Sequence, residues 1–243
     1  MHPILLKIGP INVYSYGTML AIGFLFGTLV ALRLAKKEGI SEDKILEAMV
    51  YIILSSIIGA RLAYALFFFW QFKANPLLIF NPGSGGLAFY GGLFFGILVV
   101  LWFSRANRIP LLKLLDLGSA PVFLGYSITR IGCFLNGCCY GIVTNLPWGV
   151  KFPNLEGMRH PTQLYASAIN LIFFFIALAL FKRKKFDGEV FYISLLLYMT
   201  YRFLIDFIRE RPLFLFGLTS VQVISIFVFA AALYALILKF RKS

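Results

Sequence analysis

Long apolar runs separated by short polar segments make up most of the chain. A helix rises 1.5 Å per residue, so about 20 apolar residues cross the roughly 30 Å hydrocarbon core of a bilayer. The fourth run is the weakest, because Lys113 and Asp116 fall near its start. The pattern predicts an all-α polytopic membrane protein in which residues 1–243 form a single integral-membrane domain. The seven predicted spans are 15–35, 46–70, 87–104, 111–129, 162–181, 189–208 and 217–239.

Composition and charge agree with this pattern. Of the 243 residues, 60% are hydrophobic and 14% are charged, whereas soluble domains are about one half apolar and one quarter charged. The net charge of +13 is concentrated in clusters after the first, third, fifth and seventh spans, as the positive-inside rule expects of cytoplasmic loops. We therefore expect the N-terminus outside, the C-terminus in the cytoplasm and no nucleic-acid partner. The clusters are Arg33, Lys36, Lys37 and Lys44; Arg105, Arg108 and Lys113; residues 182–185; and Lys239, Arg241 and Lys242.

Three arginines outside the basic clusters nevertheless lie within predicted spans or at their ends. Arg61 lies inside the second, Arg130 ends the fourth, and Arg202 lies near the end of the sixth. A charge at the centre of a membrane helix costs about 2.5–3.5 kcal/mol on insertion scales, so such residues usually face a protein interior or a watery cavity. Their positions indicate a functional site within the membrane.

The sixth span places several polar groups at helical spacing. Tyr198, Arg202, Asp206 and Arg209 follow each other at i, i+4, i+8 and i+11, which predicts one shared helix face. One interpretation is an Arg202–Asp206 ion pair that joins two helices, with Arg209 reaching to the interface. The other is an anion site, because the arginines outnumber the aspartate and a guanidinium fits a phosphate.

Glycines and cysteines form two further groups. The loop 83–86 and the pair Gly91 and Gly92 indicate either close helix packing or close approach of a lipid. The three cysteines, all within TRIGCFLNGCCYG (residues 129–141), show no CxxC spacing, so we expect neither a metal site nor a redox pair. Small apolar packing accounts for them more simply.

The stretch HPTQLYASA enters the fifth span. Thr162 is a candidate helix cap, and Gln163 and Tyr165 are polar groups at the membrane edge. His160 is either a general base near neutral pH or a solvated loop residue.

Six motifs in order resemble the phosphatidylglycerol–prolipoprotein diacylglyceryl transferase family of bacterial lipoprotein maturation, from about residue 10 to residue 226. The resemblance implies a multi-pass enzyme of the bacterial inner membrane with seven helices, an external N-terminus and no cofactor. It would transfer the diacylglyceryl group of phosphatidylglycerol to the lipobox cysteine of preprolipoprotein signal peptides, forming a thioether and releasing glycerol phosphate. Its partners would therefore be phosphatidylglycerol, these signal peptides and the surrounding membrane lipids. The motifs are Tyr16-Gly17, GARL (59–62), GGLAFYGGLFFG (85–96), RIGCFLNG (130–137), RHPTQLY (159–165) and YRF with DFIR (201–209).

The resemblance also implies roles for matching residues. Arg130 and Arg202 match essential arginines and are candidate catalytic groups, and Asp206 stands where relatives usually have glutamate. Arginines that meet the charge growing on the departing phosphate would stabilise the transition state more than the ground state. The candidate substrate-binding residues are Tyr16, Arg61, Gly91, Gly92, Asn136, Gly141, His160, Gln163, Asp206, Arg209 and Gln222.

The catalytic base is left open by departures from the family pattern. Tyr90 stands where many relatives have histidine; it is a candidate catalytic residue, but a tyrosine with a pKa near 10 needs strong perturbation to act as a base. Ala166 replaces a common glutamate, Cys133 and Cys138 replace polar residues, and Val221 replaces a glycine. A positive cavity would itself favour the substrate thiolate, so a strong base is not required.

Two other function classes fit parts of the pattern. An anion or phospholipid transporter would also need an arginine-lined cavity, although the chain shows no internal repeat. A membrane thiol oxidoreductase would need a reactive cysteine pair among the three cysteines.

Overall fold

The structure is a computed structural model that describes residues 1–9, 11–73, 75–80, 86–153, 155–210, 212 and 214–241. Two short antiparallel strands precede a series of helices, and 3-10 turns follow the third and seventh helices. The elements are β1 Ile4–Ile8, β2 Ile11–Tyr14, α1 Ser15–Lys37, α2 Glu42–Phe67, α3 Phe69–Phe72, α4 Phe89–Ala106, α5 Leu111–Asn136, α6 Thr162–Phe181, α7 Glu189–Ile205 and α8 Ser220–Phe240, with 3-10 turns at Pro76–Phe80 and Asp206–Ile208.

Seven of these helices are long and apolar enough to cross a membrane, which confirms the polytopic all-α prediction. Two details of that prediction were wrong. Helix α5 continues to Asn136, so Arg130 lies inside the helix and does not end it. Helix α7 ends at Ile205, and Arg209 adopts an extended conformation (φ −102°, ψ 141°), so it does not share the helix face of Arg202.

The chain divides into two compact units, Met1–Ala31 with Leu115–Ser243, and Leu32–Leu114. In the first unit, α1 and α5 pack at glycines. A Cβ on Gly23 would lie 2.8 Å from the carbonyl oxygen of Gly125, and one on Gly132 would lie 2.9 Å from Cβ of Met19. Only residues without a side chain allow the two backbones to approach so closely.

The first unit also accounts for the charge near the start of the fourth span. The Asp116 carboxylate is fully buried. It accepts hydrogen bonds from the backbone N–H groups of Gly188 (2.8 Å) and Phe191 (2.9 Å), at the start of α7, and lies 3.3 Å from Lys184 Nζ. A carboxylate is stable there because it satisfies backbone donors at a helix N-terminus and has a cationic partner.

In the second unit, α2 packs against α4 through small residues. A Cβ on Gly91 would clash with the carbonyl oxygen of Gly59, and one on Gly92 would lie 3.0 Å from the Ser56 carbonyl oxygen. Gly91 and Gly92 are both buried, so the structure supports the packing interpretation of this pair. In the glycine loop of residues 83–86, only Gly86 lies within the described residues.

Arg61 joins two segments of the second unit. Its Nε and Nη2 atoms donate to the carbonyl oxygens of Ile79 (2.7 Å) and Leu78 (2.9 Å), and Nη1 donates to that of Gly86 (3.1 Å). The guanidinium also lies 5.5 Å from the ring centroid of Phe72. These contacts satisfy carbonyl oxygens of the 3-10 turn Pro76–Phe80 and of the segment before α4, so Arg61 has a structural role whatever else it binds.

Candidate active site

Arg130 lies against an aromatic residue one turn earlier on α5. Its Nη2 donates a hydrogen bond to the hydroxyl of Tyr126, and its guanidinium carbon lies 4.5 Å from the centroid of the Tyr126 ring. The Tyr126 ring meets Tyr198 of α7 edge-on at 5.9 Å, and Tyr198 lies 6.0 Å from Tyr201. We call Tyr126, Tyr198 and Tyr201 the tyrosine cluster.

Arg202 approaches the tyrosine cluster from α7. It is buried, with Nη2 3.6 Å from Oδ1 of Asp206. The two residues do form an ion pair, but they lie four positions apart on consecutive elements, so the pair does not join two helices as that interpretation expected. Asp206 Oδ2 accepts a hydrogen bond from the Thr219 hydroxyl. Arg202 Nη1 is buried and has no hydrogen-bond partner among the described residues. That nitrogen is therefore available for an anionic ligand, because a buried donor without a partner is costly to retain.

The two arginines converge on the tyrosine cluster. Both Arg130 and Arg202 interact electrostatically with the hydroxyl of Tyr198 and with that of Tyr201. Arg209, in the segment after α7, also interacts with Tyr201. Two positive charges from different helices thus share one aromatic, hydroxyl-bearing wall, as an anion site requires.

Sequence reasoning did not single out Tyr126. It precedes Arg130 by four residues, so the two side chains lie on one helix face. That spacing was a usable signal.

A capping box at the start of α8 supports Asp206. The Thr219 hydroxyl accepts from the backbone N–H of Gln222 (3.2 Å), and the Gln222 side chain accepts from the Thr219 N–H (2.9 Å). Gln222 is buried, and its Nε2 donates to the carbonyl oxygen of Phe203 (3.3 Å). Gln222 therefore fixes the start of α8 and, through Thr219, the carboxylate that holds Arg202.

The loop after α5 is held by the first turn of α6. Gln163 Nε2 donates to the carbonyl oxygen of Cys138 (2.5 Å), and Thr162 Oγ1 donates to that of Cys139 (2.7 Å). Thr162 makes no side-chain cap, because Pro161 precedes the helix in the cap position, so that prediction was wrong. Asn136 is the exposed last residue of α5.

Gly141 lies where three segments meet. Its N–H donates to the carbonyl oxygen of His160 (2.9 Å), and it forms a bridge with Arg209. A Cβ there would lie 2.5 Å from the carbonyl oxygen of Ile208 and 2.8 Å from Cβ of His160. Glycine is required here by the close approach of neighbouring backbone.

His160 belongs to a hydrogen-bonded chain at the entry to α6. Its Nδ1 lies 3.3 Å from the Tyr165 hydroxyl, which accepts a 2.8 Å hydrogen bond from Nε1 of Trp148. Nearby, Arg159 Nη1 pairs with Glu210 Oε2 at 2.7 Å. The structure thus gives His160 a polar partner in the first turn of α6.

Tyr16 lies at the start of α1, where its Cα would be 3.2 Å from a Cβ placed on Gly132. Its side chain is 42% exposed. The first unit therefore contains Tyr16, Arg130, Asn136, Gly141, His160, Gln163, Arg202, Asp206, Arg209 and Gln222.

The remaining predicted site residues belong to the second unit. Tyr90 is 68% exposed on the first turn of α4, with its ring 5.7 Å from that of Phe89. Gly91, Gly92 and Arg61 make the packing and carbonyl contacts described above. The candidate base and the glycine pair are thus held by a different unit from the two candidate catalytic arginines.

An apolar cleft of about 300 Å³ lies between α7 and α8. Phe203 and Leu204 line it from α7, and Ile226 and Phe229 line it from α8. Its lining contains no ionisable side chain, so it suits hydrocarbon and not a phosphate.

The three cysteines come together although their spacing did not predict it. The sulfur atoms of Cys133, Cys138 and Cys139 all lie within 4.8 Å of one another. Hydrogen bonds with the other two thiols, and then the positive charges of Arg130 and Arg209, hold the pKa of the Cys139 thiol well below its usual range. These are residues that could hold a soft metal ion.

Comparison with known proteins identifies the family. A family model described as prolipoprotein diacylglyceryl transferase matches residues 3–238. The chain belongs to this family.

Proteins named phosphatidylglycerol–prolipoprotein diacylglyceryl transferase are similar to this chain along most of their length. That of Finegoldia magna is 33% identical, covering 100% of this chain and 97% of the relative. That of Clostridioides difficile is 37% identical, covering 89% and 86%. That of Aliivibrio salmonicida is 34% identical, covering 100% and 89%. The match confirms the resemblance found in the sequence motifs, and the seven helices agree with a multi-pass membrane member of this transferase family.

Proposed function

We propose that the protein transfers the diacylglyceryl group of phosphatidylglycerol to the lipobox cysteine thiol of a preprolipoprotein, at the outer face of the bacterial inner membrane. The single observation that carries this proposal is that Arg130 packs on Tyr126, whose ring meets Tyr198 of α7 one turn before the buried Arg202. Membership of the transferase family supplies the reaction class.

The reaction breaks one bond and forms one bond. The substrate thiolate attacks the glycerol carbon that bears the phosphate ester, a C–S bond forms, and the C–O bond electrons leave with the phosphate oxygen. Glycerol phosphate departs with one more negative charge than the ester carried, and the thiol proton is lost when the thiolate forms. Stabilising that growing charge is the main requirement of the site.

The two arginines have complementary roles in this proposal. Arg202 is oriented by Asp206, which leaves its buried Nη1 to donate to a phosphate oxygen. Arg130 is held by Tyr126 and brings the second positive charge. Hydrogen bonds from fixed donors of this kind stabilise the transition state more than the ground state, because the donors do not reorganise as charge develops.

The orientation of the helices follows from their basic ends. Lys36 and Lys37 lie in the last turn of α1, Arg105 in that of α4 and Lys239 in that of α8, which under the positive-inside rule puts these ends in the cytoplasm. The ends of α5 and α7 and the start of α8 then lie outside. The arginines and the capping box are therefore on the side where a secreted precursor emerges.

The apolar cleft supplies a place for hydrocarbon. The cleft residue Phe203 follows Arg202 directly on α7, and in this proposal the acyl chains of a lipid whose headgroup is held by the arginines occupy the cleft.

The direct test uses purified protein, phosphatidylglycerol and a peptide with a lipobox cysteine. We expect the peptide to gain the mass of one diacylglyceryl group and Arg130→Ala to abolish that gain while still inserting in membranes. Arg105→Ala is the matched control, because Arg105 lies in the last turn of α4 and its Nη1 donates to the carbonyl oxygen of Leu101, one turn earlier.

Two outcomes would contradict the proposal. An unmodified peptide with every anionic lipid would exclude the transferase. Lipid movement across proteoliposomes without covalent change would favour the phospholipid transporter.

A further inference from the structure

The three cysteines form a compact group outside the arginine–tyrosine contacts. Cys133 is buried one turn before the end of α5, Cys138 is half-buried, and Cys139 is exposed. All three sulfur atoms lie within 4.8 Å of one another. The Sγ atoms of Cys138 and Cys139 are 3.6 Å apart. Three thiols within the seven residues 133–139 therefore lie close together.

The local backbone produces this arrangement. Gly137 (φ +76°) and Cys139 (φ +65°) both adopt the left-handed region, which turns the chain back on the end of α5. A left-handed cysteine is uncommon, since such a φ strains most residues with a Cβ. The carbonyl oxygens of Cys138 and Cys139 are held by Gln163 and Thr162, so the turn is anchored to α6.

The sulfur spacing matches a metal–thiolate site. With Zn–S bonds of about 2.3 Å, two sulfur ligands at a tetrahedral centre lie about 3.8 Å apart. The observed upper limit of 4.8 Å needs only small side-chain rotations to reach that distance. Because Cys139 is exposed, a fourth position remains open to water or to another thiol.

Charge also favours ligation. Three thiolates and one divalent cation leave one net negative charge. Arg130 and Arg209 interact electrostatically with Cys139, and Arg130 does so with Cys133. These arginines would offset the remaining charge. Thiolate ligands select soft cations, in particular Zn(II) and Cu(I).

We propose that Cys133, Cys138 and Cys139 bind one soft d¹⁰ cation, of the zinc or copper(I) class, with three thiolate ligands. The sequence analysis predicted no metal site here, because the three cysteines lack the CxxC spacing. That rule describes ligands spaced along one turn, whereas these three come from a helix end and a left-handed turn. Three thiols release their protons as the ion binds, and no electron transfer is involved.

The test uses the full-length protein in detergent, reduced and freed of metal, with Zn(II) and then Cd(II) as probes. Equilibrium dialysis should give one tightly bound ion per chain. Cadmium should produce the ultraviolet charge-transfer band of thiolate ligation. Bound ion should also raise the unfolding temperature, because it binds the folded chain and links α5 to the following turn.

Variants distinguish this site from adventitious binding. Cys139→Ser should lose the tight ion, and Cys139→His should regain it, since histidine is a zinc ligand and tolerates a left-handed φ better than most residues. His2→Ala and His160→Ala are the controls for the two histidines and should bind one ion as before.

Two results would overturn the proposal. The first is equal stoichiometry and charge-transfer intensity in the protein as it stands and in Cys139→Ser. The second is no cadmium band in the fully reduced protein. If Cys139→Ser alters folding, reversible blocking of the thiols in the unsubstituted chain replaces it, and blocking must then abolish binding. None of these readouts depends on transferase activity.

Discussion

Arg61 and Arg202 both lie in membrane-spanning helices, yet the protein uses them differently. All three nitrogens of the Arg61 guanidinium donate to backbone carbonyl oxygens of its own unit. Arg202 has one carboxylate partner and a buried Nη1 without a hydrogen-bond partner among the described residues. An intramembrane arginine therefore indicates a ligand site only when its donors are not already used by the protein. Arg130, which contacts a tyrosine hydroxyl and ring, belongs with Arg202.

The largest expected effect is a difference in kcat between lysine substitutions at Arg202 and at Arg61. Arg202→Lys keeps the charge opposite Asp206 but loses the planar fork, so we expect kcat to fall about 10²–10³-fold. Arg61→Lys should lower kcat less than about tenfold, or 1.4 kcal/mol. Single-turnover kinetics on folded protein measures both. Lysine is preferable to alanine at position 202, because alanine would leave the buried Asp206 carboxylate without its counter-ion. Equal losses in the two variants would refute the division.

The next effect concerns stability. Arg61→Ala removes hydrogen bonds from a charged donor, each worth about 1.5–3 kcal/mol when well placed, so the free energy of unfolding should fall by at least that of one bond. Thermal unfolding in detergent measures the change. The half-exposed surroundings of Arg61 reduce the loss below the sum of three bonds. An unchanged melting temperature with lost turnover would instead assign Arg61 to substrate binding.

Glycine packing in the second unit gives an effect of similar or smaller size. Gly91→Ala places a Cβ against the carbonyl oxygen of Gly59, and we expect a loss of about 1–3 kcal/mol. Gly118→Ala is the matched control, because a Cβ there meets no atom within 4 Å and alanine favours the helix by up to about 1 kcal/mol. Unfolding temperatures of both variants are compared. If Gly91→Ala is as stable as its control but inactive, a lipid and not α2 requires the glycine.

The smallest expected effect tests the support behind Arg202. Thr219→Ala removes both the α8 cap and the hydrogen bond to Asp206, so stability should fall by about 1 kcal/mol, typical of a lost cap. Thr219→Ser should keep the stability that Thr219→Ala loses, because serine retains the hydroxyl. Because Asp206 keeps Arg202 as a partner, kcat should fall less than in Arg202→Lys. A larger kinetic loss would show that Thr219 positions the arginine more strongly than the ion pair does.

Much of the fold was predictable, because the spacing of residues along the chain is enough to locate a helix and to identify contacts within it. Seven apolar runs predicted the seven spans, and the i, i+4 spacing of Arg202 and Asp206 predicted their ion pair. The same spacing failed at Arg209, because α7 ends at Ile205 and the chain turns toward Gly141. A periodic pattern contains no signal for the residue at which tertiary contacts stop a helix.

The site itself was only partly predictable. Motifs identified Arg130 and Arg202 as residues that would act together, but Tyr126 and Thr219, which hold Arg130 and Asp206, were not among the candidates. The three thiols were also missed as a group, since their approach depends on left-handed backbone at Gly137 and Cys139. That residues 1–243 form a single integral-membrane domain remains a prediction, as do the catalytic role of Tyr90 and the substrate-binding role of the glycine pair.

By itself the sequence determined that this chain spans a membrane seven times, which family it resembles and which arginines it places in apolar surroundings. Those properties follow from local composition and from the cost of charge in hydrocarbon. Only the tertiary structure decided which guanidinium is used by backbone carbonyls and which retains a donor for a ligand. That distinction depends on contacts between residues 17 to 25 positions apart for Arg61 and on the meeting of α5 with α7 for Arg130 and Arg202, and no local pattern encodes such distances.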